Sequence, residues 1–227
     1  MDQTYAIKEL DNNYIPDYCF KVVISGNSGV GKTSILRYEI NNIFDPDNES
    51  TIIFEHLYKN YKMCDKIIRL QMWDTCGEEN YETLMSSFYR SALCILIVFA
   101  IDDDKSFFSL NKWISDIKIS GEKESPMIIL VGNKSDNGNK RKVSKRQIEQ
   151  YCLDNEIESY YEISAKTGEH IHELFKTIVK NLYIKFIEPT NSDIYSTKTY
   201  ESISNNSEID PCGIQSEKCK ICECIIF

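Results

Sequence analysis

The sequence has no run of about 18 apolar residues, so we expect no helix that spans a membrane. Its first 18 residues are polar and acidic and lack the apolar segment of a secretory signal peptide. An excess of positive charge is also missing, because 26 lysines and arginines stand against 35 acidic residues and the net charge is -9. Without a basic field to attract phosphate backbones, a nucleic-acid partner is disfavoured. No internal repeat is present either.

A disulfide framework is not expected. The missing signal segment predicts a cytosolic chain, in which the nine cysteines remain thiols. Five of them are scattered and are expected to pack as small apolar side chains: Cys19, Cys64, Cys76, Cys94 and Cys152. The other four crowd the end of the chain: Cys212, Cys219, Cys222 and Cys224.

Residues 26–34 indicate a phosphate-binding loop and read Gly-Asn-Ser-Gly-Val-Gly-Lys-Thr-Ser. Gly26, Gly31, Lys32 and Thr33 satisfy the spacing G-x-x-x-x-G-K-S/T, in which several backbone N–H groups face one polyphosphate. The lysine would reach the terminal phosphates and the threonine hydroxyl would bind Mg²⁺. A β-branched run before the loop and a periodic apolar pattern after it predict the strand and helix that this loop requires. The alternative is a glycine-rich turn without a ligand.

Strand and helix patterns alternate after the first 18 residues, which predicts an α/β fold with a mostly parallel sheet and helices on both faces. The runs 54–61 and 66–73 predict a hairpin, and hence one antiparallel edge strand. Six strands are expected, at residues 21–25, 54–61, 66–73, 94–100, 127–131 and 160–163. The first helix, which follows the phosphate loop, is expected to end near residue 41. Four further helices are expected at about 79–90, 105–119, 144–153 and 169–186. We expect a short extension at 1–18, one domain at 19–186 and a disordered tail at 187–227.

Three further segments follow predicted strands, where α/β sheets bind nucleotides. Asp74 could hold the water shell of Mg²⁺, and Gly77 would let a backbone N–H approach a terminal phosphate. Asp136, in the segment Asn-Lys-Ser-Asp at 133–136, could accept hydrogen bonds from N1–H and the 2-amino group of guanine. The segment Ser-Ala-Lys at 164–166 could offer a backbone N–H to the guanine oxygen. Each segment alone also fits an ordinary polar turn.

In this order, the motifs together resemble those of the Ras superfamily of small GTPases, and those of its Rab branch most closely. The resemblance covers roughly residues 20–183, a usual length for one domain. Rab-like features include Ser28 in the phosphate loop, Trp-Asp-Thr at 73–75 and Ser-Ser-Phe-Tyr-Arg at 86–90. The resemblance implies a P-loop NTPase fold and a GDP/GTP switch that hydrolyses GTP with Mg²⁺ and regulates vesicle traffic.

The resemblance also implies roles for individual residues. Thr51 would join Mg²⁺ only when the γ-phosphate is present, and Phe44 would stack on the guanine edge. The implied catalytic residues are Lys32, Thr51, Gly77 and Glu78. The implied Mg²⁺ ligands are Thr33, Thr51 and, through water, Asp74. The implied nucleotide-binding residues are Ser28, Gly29, Val30, Gly31, Lys32, Thr33, Ser34, Phe44, Thr51, Asp74, Gly77, Asn133, Lys134, Asp136, Ser164, Ala165 and Lys166.

Two positions depart from the Rab pattern. Glu78 stands where the family keeps a glutamine that orients the attacking water. An ionised carboxylate only accepts hydrogen bonds, which favours slow hydrolysis, but a carboxylate could also position or deprotonate the water, so the residue alone leaves the sign of the rate change open. Our hypothesis is altered, slow intrinsic hydrolysis and an altered response to an activating protein. His56 stands where Rabs present an aromatic residue that packs with the equivalents of Trp73 and Phe88. We expect His56 to contact partners rather than a metal, because no second histidine or cysteine lies nearby at ligand spacing.

The last four residues, Cys-Ile-Ile-Phe at 224–227, fit the C-a-a-X prenylation motif, and the final phenylalanine favours geranylgeranyl. One prenyl chain needs a second membrane signal, and the acidic tail offers no polybasic patch. Besides Cys224, we therefore expect a second lipid on Cys222, Cys219 or Cys212. Zinc binding by the last three cysteines is the alternative, but it lacks a fourth ligand.

The sequence therefore predicts a lipid-anchored switch on the cytosolic face of an intracellular membrane, with a cytosolic pool. Its expected partners are guanine nucleotide, an exchange factor, a GTPase-activating protein, effectors, a prenyltransferase and a prenyl-binding chaperone. The alternative is a membrane-tethered module that stays mainly loaded with GTP and serves only to bind effectors. A small-molecule kinase is disfavoured, because residues 133–136 and the prenylation motif have no role there.

Overall fold

The computed structural model describes residues 6–47, 54–75, 87–119, 125–157 and 159–188 of the protein. Its strands are β1 (Ile7–Leu10), β2 (Tyr18–Ser25), β3 (Phe54–Met63), β4 (Lys66–Thr75), β5 (Cys94–Ala100), β6 (Met127–Asn133) and β7 (Ser159–Glu162). Its helices are α1 (Lys32–Asn41), α2 (Asp104–Phe108), α3 (Leu110–Ile119), α4 (Lys145–Asp154) and α5 (Ile171–Phe186), with a 3₁₀ segment at Ser135–Lys140. None of the helices in these ranges combines the length and apolarity needed to span a bilayer.

The strands form one sheet in the order β1-β3-β4-β2-β5-β6-β7. Strand β3 runs antiparallel to β1 and β4, and the remaining neighbours pair in parallel. The predicted α/β class and mostly parallel sheet are confirmed, and the predicted hairpin is formed by β3 and β4. The sheet has seven strands rather than the predicted six, because residues near the N-terminus add β1 outside β3. The predicted antiparallel edge is present, with β1 as the edge strand and β3 flanked by β1 and β4.

Two apolar layers cover the faces of the sheet. Helices α1 and α5 pack on one face, and all six residues of the α5 stripe indicated by its apolar periodicity are buried: Ile171, Leu174, Phe175, Ile178, Val179 and Leu182. Helices α2, α3 and α4 pack on the other face. Strand β5 is buried along its whole length because it lies between both layers. Burial of each such aliphatic side chain contributes about 1.5–3 kcal/mol, so these layers fix the strand order that brings the loops together.

Segment 11–17, which follows β1, is held against the sheet by two buried polar side chains. Asn60 donates through Nδ2 to the carbonyl oxygens of Asp11 and Tyr14, at 3.2 and 3.0 Å. Arg69 donates to Asn60 Oδ1 at 2.9 Å and to the carbonyl oxygen of Tyr14 at 3.1 Å. A buried polar group without such a bond costs about 1–3 kcal/mol, so Asn60 and Arg69 favour this path of the chain.

The cysteine prediction holds for Cys94, which is buried, and is wrong for Cys64, which is exposed. Cys64 lies in the turn between β3 and β4 and has φ of 55°. The turn leaves the thiol at the surface, where it is within hydrogen-bond reach of the Tyr183 side chain. Burial raises the pKa of the Cys94 thiol, which keeps it protonated and unreactive.

Candidate functional site

The loop between β2 and α1 can be built only with glycine at two positions. Gly26 has φ of 139° and Gly31 has φ of 96°. A Cβ atom at Gly26 would collide with the carbonyl oxygen of Val98, and one at Gly31 would collide with the amide of Asn133. The two glycines therefore let the loop lie against the ends of β5 and β6, with its backbone exposed for ligand contact.

Lys32, the first residue of α1, crosses the loop with its side chain. Its buried ammonium group donates to the carbonyl oxygens of Gly26 and Asn27, at 2.8 and 2.9 Å. No acidic residue occupies the first turn of α1. The helix N-terminus, its N–H groups and the ammonium group together concentrate positive charge at the loop. This arrangement suits a bound polyphosphate.

Oxygen ligands suitable for Mg²⁺ lie next to the loop. Thr33 Oγ1 donates to Asp74 Oδ2 at 2.5 Å, and Asp74 is fully buried at the end of β4. Thr75 donates through Oγ1 to the carbonyl oxygen of Ile24 at 2.8 Å, which fixes the end of β4 against β2. Hydroxyl and carboxylate oxygens are the donors that Mg²⁺ prefers. The residues present therefore fit this ion.

Asn133 joins three segments of the candidate base site. Its Nδ2 donates to the carbonyl oxygen of Val30 at 2.8 Å, and its Oδ1 accepts from the backbone N–H of Ala165 at 3.0 Å. Asn133 is buried at the end of β6. The side-chain amide of Asn133 thus holds both the phosphate loop and the segment after β7 against the end of β6.

Asp136 is oriented by the segment after β7. Its Oδ1 accepts from Ser164 Oγ at 2.6 Å, and the same serine oxygen accepts from the backbone N–H of Thr167 at 3.1 Å. The ammonium group of Lys166 lies 3.9 Å from Asp136 Oδ2. Lys134 has a left-handed backbone with φ of 68°. The carboxylate is therefore held in one orientation, as recognition of two donors on one base requires.

The remaining predicted residues have these positions. Ser28 and Gly29 are exposed in the loop, Val30 is buried and Ser34 is half-buried in α1. Phe44 is half-buried in the segment after α1. The other predictions lie outside the described residues: Thr51, Gly77, Glu78, Cys222 and Cys224.

A buried charge cluster around Glu39 was missed by sequence reasoning. Glu39 of α1 is fully buried and accepts from Lys59 Nζ at 2.9 Å and from the Tyr61 hydroxyl at 2.6 Å. Its other oxygen lies 2.6 Å from His172 Nδ1. The only available signal was the position of Glu39 four residues after the apolar Ile35, on the same face of the helix.

Glu9 of β1 belongs to the same cluster and, with Glu39 and His172, forms a group of side chains that could ligate a metal. The ammonium group of Lys59 lies 2.8 Å from Glu9 and 2.9 Å from Glu39. This lysine already supplies the positive charge between the two carboxylates. Burial opposes ionisation of Glu9, but Lys59 outweighs it and lowers the pKa of that carboxyl. The cluster is therefore an ion-pair network.

Aromatic rings form a partly exposed surface at β3 and β4, in which Phe54 and His56 are exposed and Trp73 and Phe88 are half-buried. The rings of His56 and Trp73 are 4.7 Å apart, and those of Phe54 and Phe88 are 5.1 Å apart. Phe54 also lies 5.7 Å from Trp73, so it links the two pairs. His56 thus packs against Trp73, in the place where the Rab pattern has an aromatic residue. Burial lowers the pKa of His56, which keeps the imidazole neutral and the surface largely apolar near pH 7.

The fold and the site together define a P-loop nucleotide-binding domain: a glycine loop precedes a helix, and polar segments follow β4, β6 and β7 at one edge of the sheet. The Ras family model matches residues 21–184. The chain is 35% identical over 195 residues to the Ypt/Rab-type GTPase ypt7 of Schizosaccharomyces pombe, covering 80% of this chain and 95% of that one. It is 37% identical over 166 residues to the Ras-related protein RABG3f of Arabidopsis thaliana, covering 71% and 81%.

A further relative is the Ras-related protein Rab7 of Cenchrus ciliaris, which is 35% identical over 191 residues and covers 82% of this chain and 91% of its own length. The chain therefore belongs to the Rab GTPases of the Ras superfamily, which confirms the resemblance seen in the sequence. Membership of this family implies that the chain binds guanine nucleotide.

Proposed function

We propose that the protein is a GDP/GTP switch that binds GTP with Mg²⁺, hydrolyses it and regulates vesicle traffic on an intracellular membrane. The observation that carries this proposal is the convergence of Lys32, Thr33, Asp74, Asn133 and Asp136 at one edge of the sheet. Residues 19–186 would form the GTPase domain, and residues 187–227 would form its tail. The names of the relatives, Ypt/Rab-type GTPase and Rab7, support the assignment to this class.

Different residues would bind the phosphates with Mg²⁺ and the guanine base. The ammonium group of Lys32 and the N–H groups of the loop would neutralise the β- and γ-phosphates. Thr33 and, through water, Asp74 would hold Mg²⁺, which when bound would supply a Lewis acid at those phosphates. Asp136 would accept from two donors of guanine, and a backbone N–H of the segment 164–166 would face the guanine oxygen.

Switching would depend on residues outside the described ranges. Thr51 and the N–H of Gly77 would contact the γ-phosphate in the GTP state and lose that contact after hydrolysis. The partly exposed aromatic surface of β3 and β4 begins at Phe54, three residues beyond Thr51. An effector that covers this surface would therefore sense whether the Thr51 segment is held by γ-phosphate, while exchange factors and activating proteins would act on the same switches.

Glu78 supports a second candidate function, an effector-binding module that hydrolyses GTP too slowly for turnover to matter. A glutamine amide can donate to the transition-state phosphoryl oxygens, whereas a carboxylate cannot and adds opposing negative charge. The nucleotide content of protein purified from cells separates the two functions. Mainly GDP supports a cycling switch, and mainly GTP supports the slow module.

Replacing Glu78 by glutamine should accelerate single-turnover GTP hydrolysis on the order of 10-fold, because a transition-state donor is restored and a negative charge is removed. Glu79→Gln is the matched control, since it removes the same charge one residue further on. Rates are measured with and without an activating protein. Equal rates for the native protein and Glu78→Gln under both conditions would contradict a catalytic role for this position.

Membrane attachment is proposed to depend on Cys224, with a second lipid on another tail cysteine such as Cys222. A single prenyl chain gives only marginal binding, so two lipids fit an acidic tail better than one. The prenyltransferase and a prenyl-binding chaperone would be the partners that attach and carry this tail, which would give the protein a cytosolic pool.

Cys224→Ser should move the protein from the membrane fraction to the cytosol, because the prenyl acceptor is lost. Fractionation and imaging of a tagged protein measure the shift, and mass spectrometry of the C-terminal peptide identifies the lipids. Cys212→Ser serves as the control for a cysteine outside the C-a-a-X motif. An unmodified Cys224 in protein isolated from cells would refute the prenylation proposal.

A further inference from the structure

The side chain of Asn27, the second residue of the phosphate loop, is hydrogen-bonded to Ser109, which lies between α2 and α3, and to Trp113 of α3. Trp113 Nε1 donates to Asn27 Oδ1 at 2.9 Å. Asn27 Nδ2 donates to Ser109 Oγ at 3.0 Å, and Ser109 Oγ donates to the carbonyl oxygen of Lys105 at 3.0 Å. These bonds, which we call the loop tie, join residues more than 80 positions apart in the sequence.

The chemistry of the three side chains gives the loop tie one direction. An indole N–H can only donate, so the amide oxygen of Asn27 must face Trp113. The amide nitrogen then faces Ser109, whose hydroxyl hydrogen points to Lys105. Trp113 is only 3% exposed, so its N–H would lose most hydration without Asn27 as a partner. The orientation of the Asn27 amide is therefore fixed by its partners.

Ser109 lies between α2 and α3, within the helix predicted over 105–119. Its backbone has right-handed helical angles, and its N–H donates to the carbonyl oxygen of Lys105 at 3.1 Å. The hydroxyl of Ser109 donates to the same carbonyl oxygen, so its own oxygen can accept from Asn27. A regular helical backbone therefore holds the Ser109 end of the loop tie.

Asn27 is held from two sides at once. Its carbonyl oxygen accepts from Lys32 Nζ at 2.9 Å, while its side chain is held by Trp113 and Ser109. It directly follows Gly26, which has φ of 139°. Because glycine can adopt many backbone conformations, this part of the loop could change its conformation if the bonds to Asn27 were removed. The loop tie therefore fixes the first half of the loop, between Gly26 and the exposed Ser28.

We propose that Asn27 and Trp113 are positioning residues that hold the phosphate loop in its binding conformation and thereby slow the release of bound nucleotide. This inference rests on the proposed guanine-nucleotide function. The loop tie makes the packing of α3 a determinant of nucleotide lifetime, although α3 contributes none of the predicted nucleotide-binding residues. Without the tie, binding has to order the loop, and the bound state loses that preorganisation.

The test measures release of a fluorescent GDP analogue from Mg²⁺-loaded full-length protein. Trp113→Phe should accelerate release by about 2- to 12-fold, the factor that corresponds to the net loss of one hydrogen bond. Asn27→Ala should accelerate it at least as much, because this substitution also removes the bond to Ser109. Both substitutions break the bond between Trp113 and Asn27, so their effects should not be independent. The increase in release rate of the double variant should therefore be clearly smaller than the product of the two single increases.

Ile114→Val is the matched control, because Ile114 is buried in the same helix and contributes to packing without contacting Asn27. It should lower the thermal midpoint slightly and leave GDP release unchanged. Unchanged release from Asn27→Ala and Trp113→Phe, or strictly multiplicative effects in the double variant, would overturn the loop tie alone. A native protein that binds no guanine nucleotide would overturn the proposed function, and the loop tie with it.

Discussion

Asp136→Asn is expected to weaken GDP binding roughly 10²- to 10⁴-fold, since a hydrogen bond to a charged group is worth about 1.5–3 kcal/mol and two are affected. The carboxylate can accept from both N1–H and the 2-amino group of guanine. An asparagine keeps one acceptor but turns an N–H group toward the 2-amino group, so two donors oppose each other. The bond from Ser164 to Asp136 Oδ1 can survive, because the amide oxygen still accepts.

The same substitution should create binding of xanthosine diphosphate. Xanthine carries an oxygen where guanine carries the 2-amino group, and the asparagine N–H can donate to this oxygen. A gain of binding is decisive, because a variant that merely unfolds cannot show it. Isothermal titration of GDP and xanthosine diphosphate to the native protein and Asp136→Asn measures the exchange of preference.

Asp154→Asn removes an equal charge at the end of α4, where Asp154 accepts from the side chain of Gln150 rather than from any site residue. It should leave both affinities unchanged. If Asp136→Asn bound GDP as tightly as the native protein, the assignment of Asp136 to guanine recognition would be wrong. Loss of GDP binding without gain of xanthosine diphosphate would show that the carboxylate is needed for the local fold rather than for base choice.

The α/β class and the positions of most strands could be predicted because the signals are local. Gly26 and Gly31 mark a loop that needs unusual backbone angles, and the apolar run at β5 marks a strand buried on both faces. The predicted helix over 144–153 also has a local signal at its start, where the structure has a capping box between Ser144 and Gln147. Patterns within a few residues suffice for such features.

Strand β1 and the loop tie could not be predicted, because their partners lie far along the chain. The four residues of β1 alternate weakly and include two charges, and the strand pairs with residues 60–63. Asn27 appeared in the sequence only as a variable position of the loop motif. Its role depends on Trp113, which the sequence indicated only as part of a helix. Tertiary packing, rather than local propensity, decides both features.

The charge cluster around Glu39 is hydrogen-bonded to the C-terminal end of α1, which precedes the segment that contains Phe44. His172 Nε2 lies 2.7 Å from Asn42 Oδ1, and Asn42 caps the end of α1 with φ of 56°. The cluster also includes Glu9, so β1, α1, β3 and α5 meet at one buried carboxylate. Removing a charge here should loosen several elements together.

Lys59→Met is expected to destabilise the protein by about 3–5 kcal/mol, the cost of removing one partner from a buried ion pair. Glu39 is fully buried and would keep only Tyr61 and His172 as neighbours among these groups. Methionine matches the length of the lysine stem, so little packing is lost and the effect reports on charge. For a domain of this size, the thermal midpoint should fall by roughly 6–20 °C.

Thermal unfolding at one fixed GDP concentration measures this effect, because bound nucleotide itself stabilises the folded state. Lys62→Met is the matched control, since Lys62 is exposed on the same strand and should change the midpoint little. The double variant Glu39→Gln with Lys59→Met removes both charges and should recover part of the loss, because no buried charge remains unpaired. Equal midpoints for the native protein and Lys59→Met would show that solvent or rearrangement compensates Glu39, and that the cluster does not stabilise the junction of these four elements.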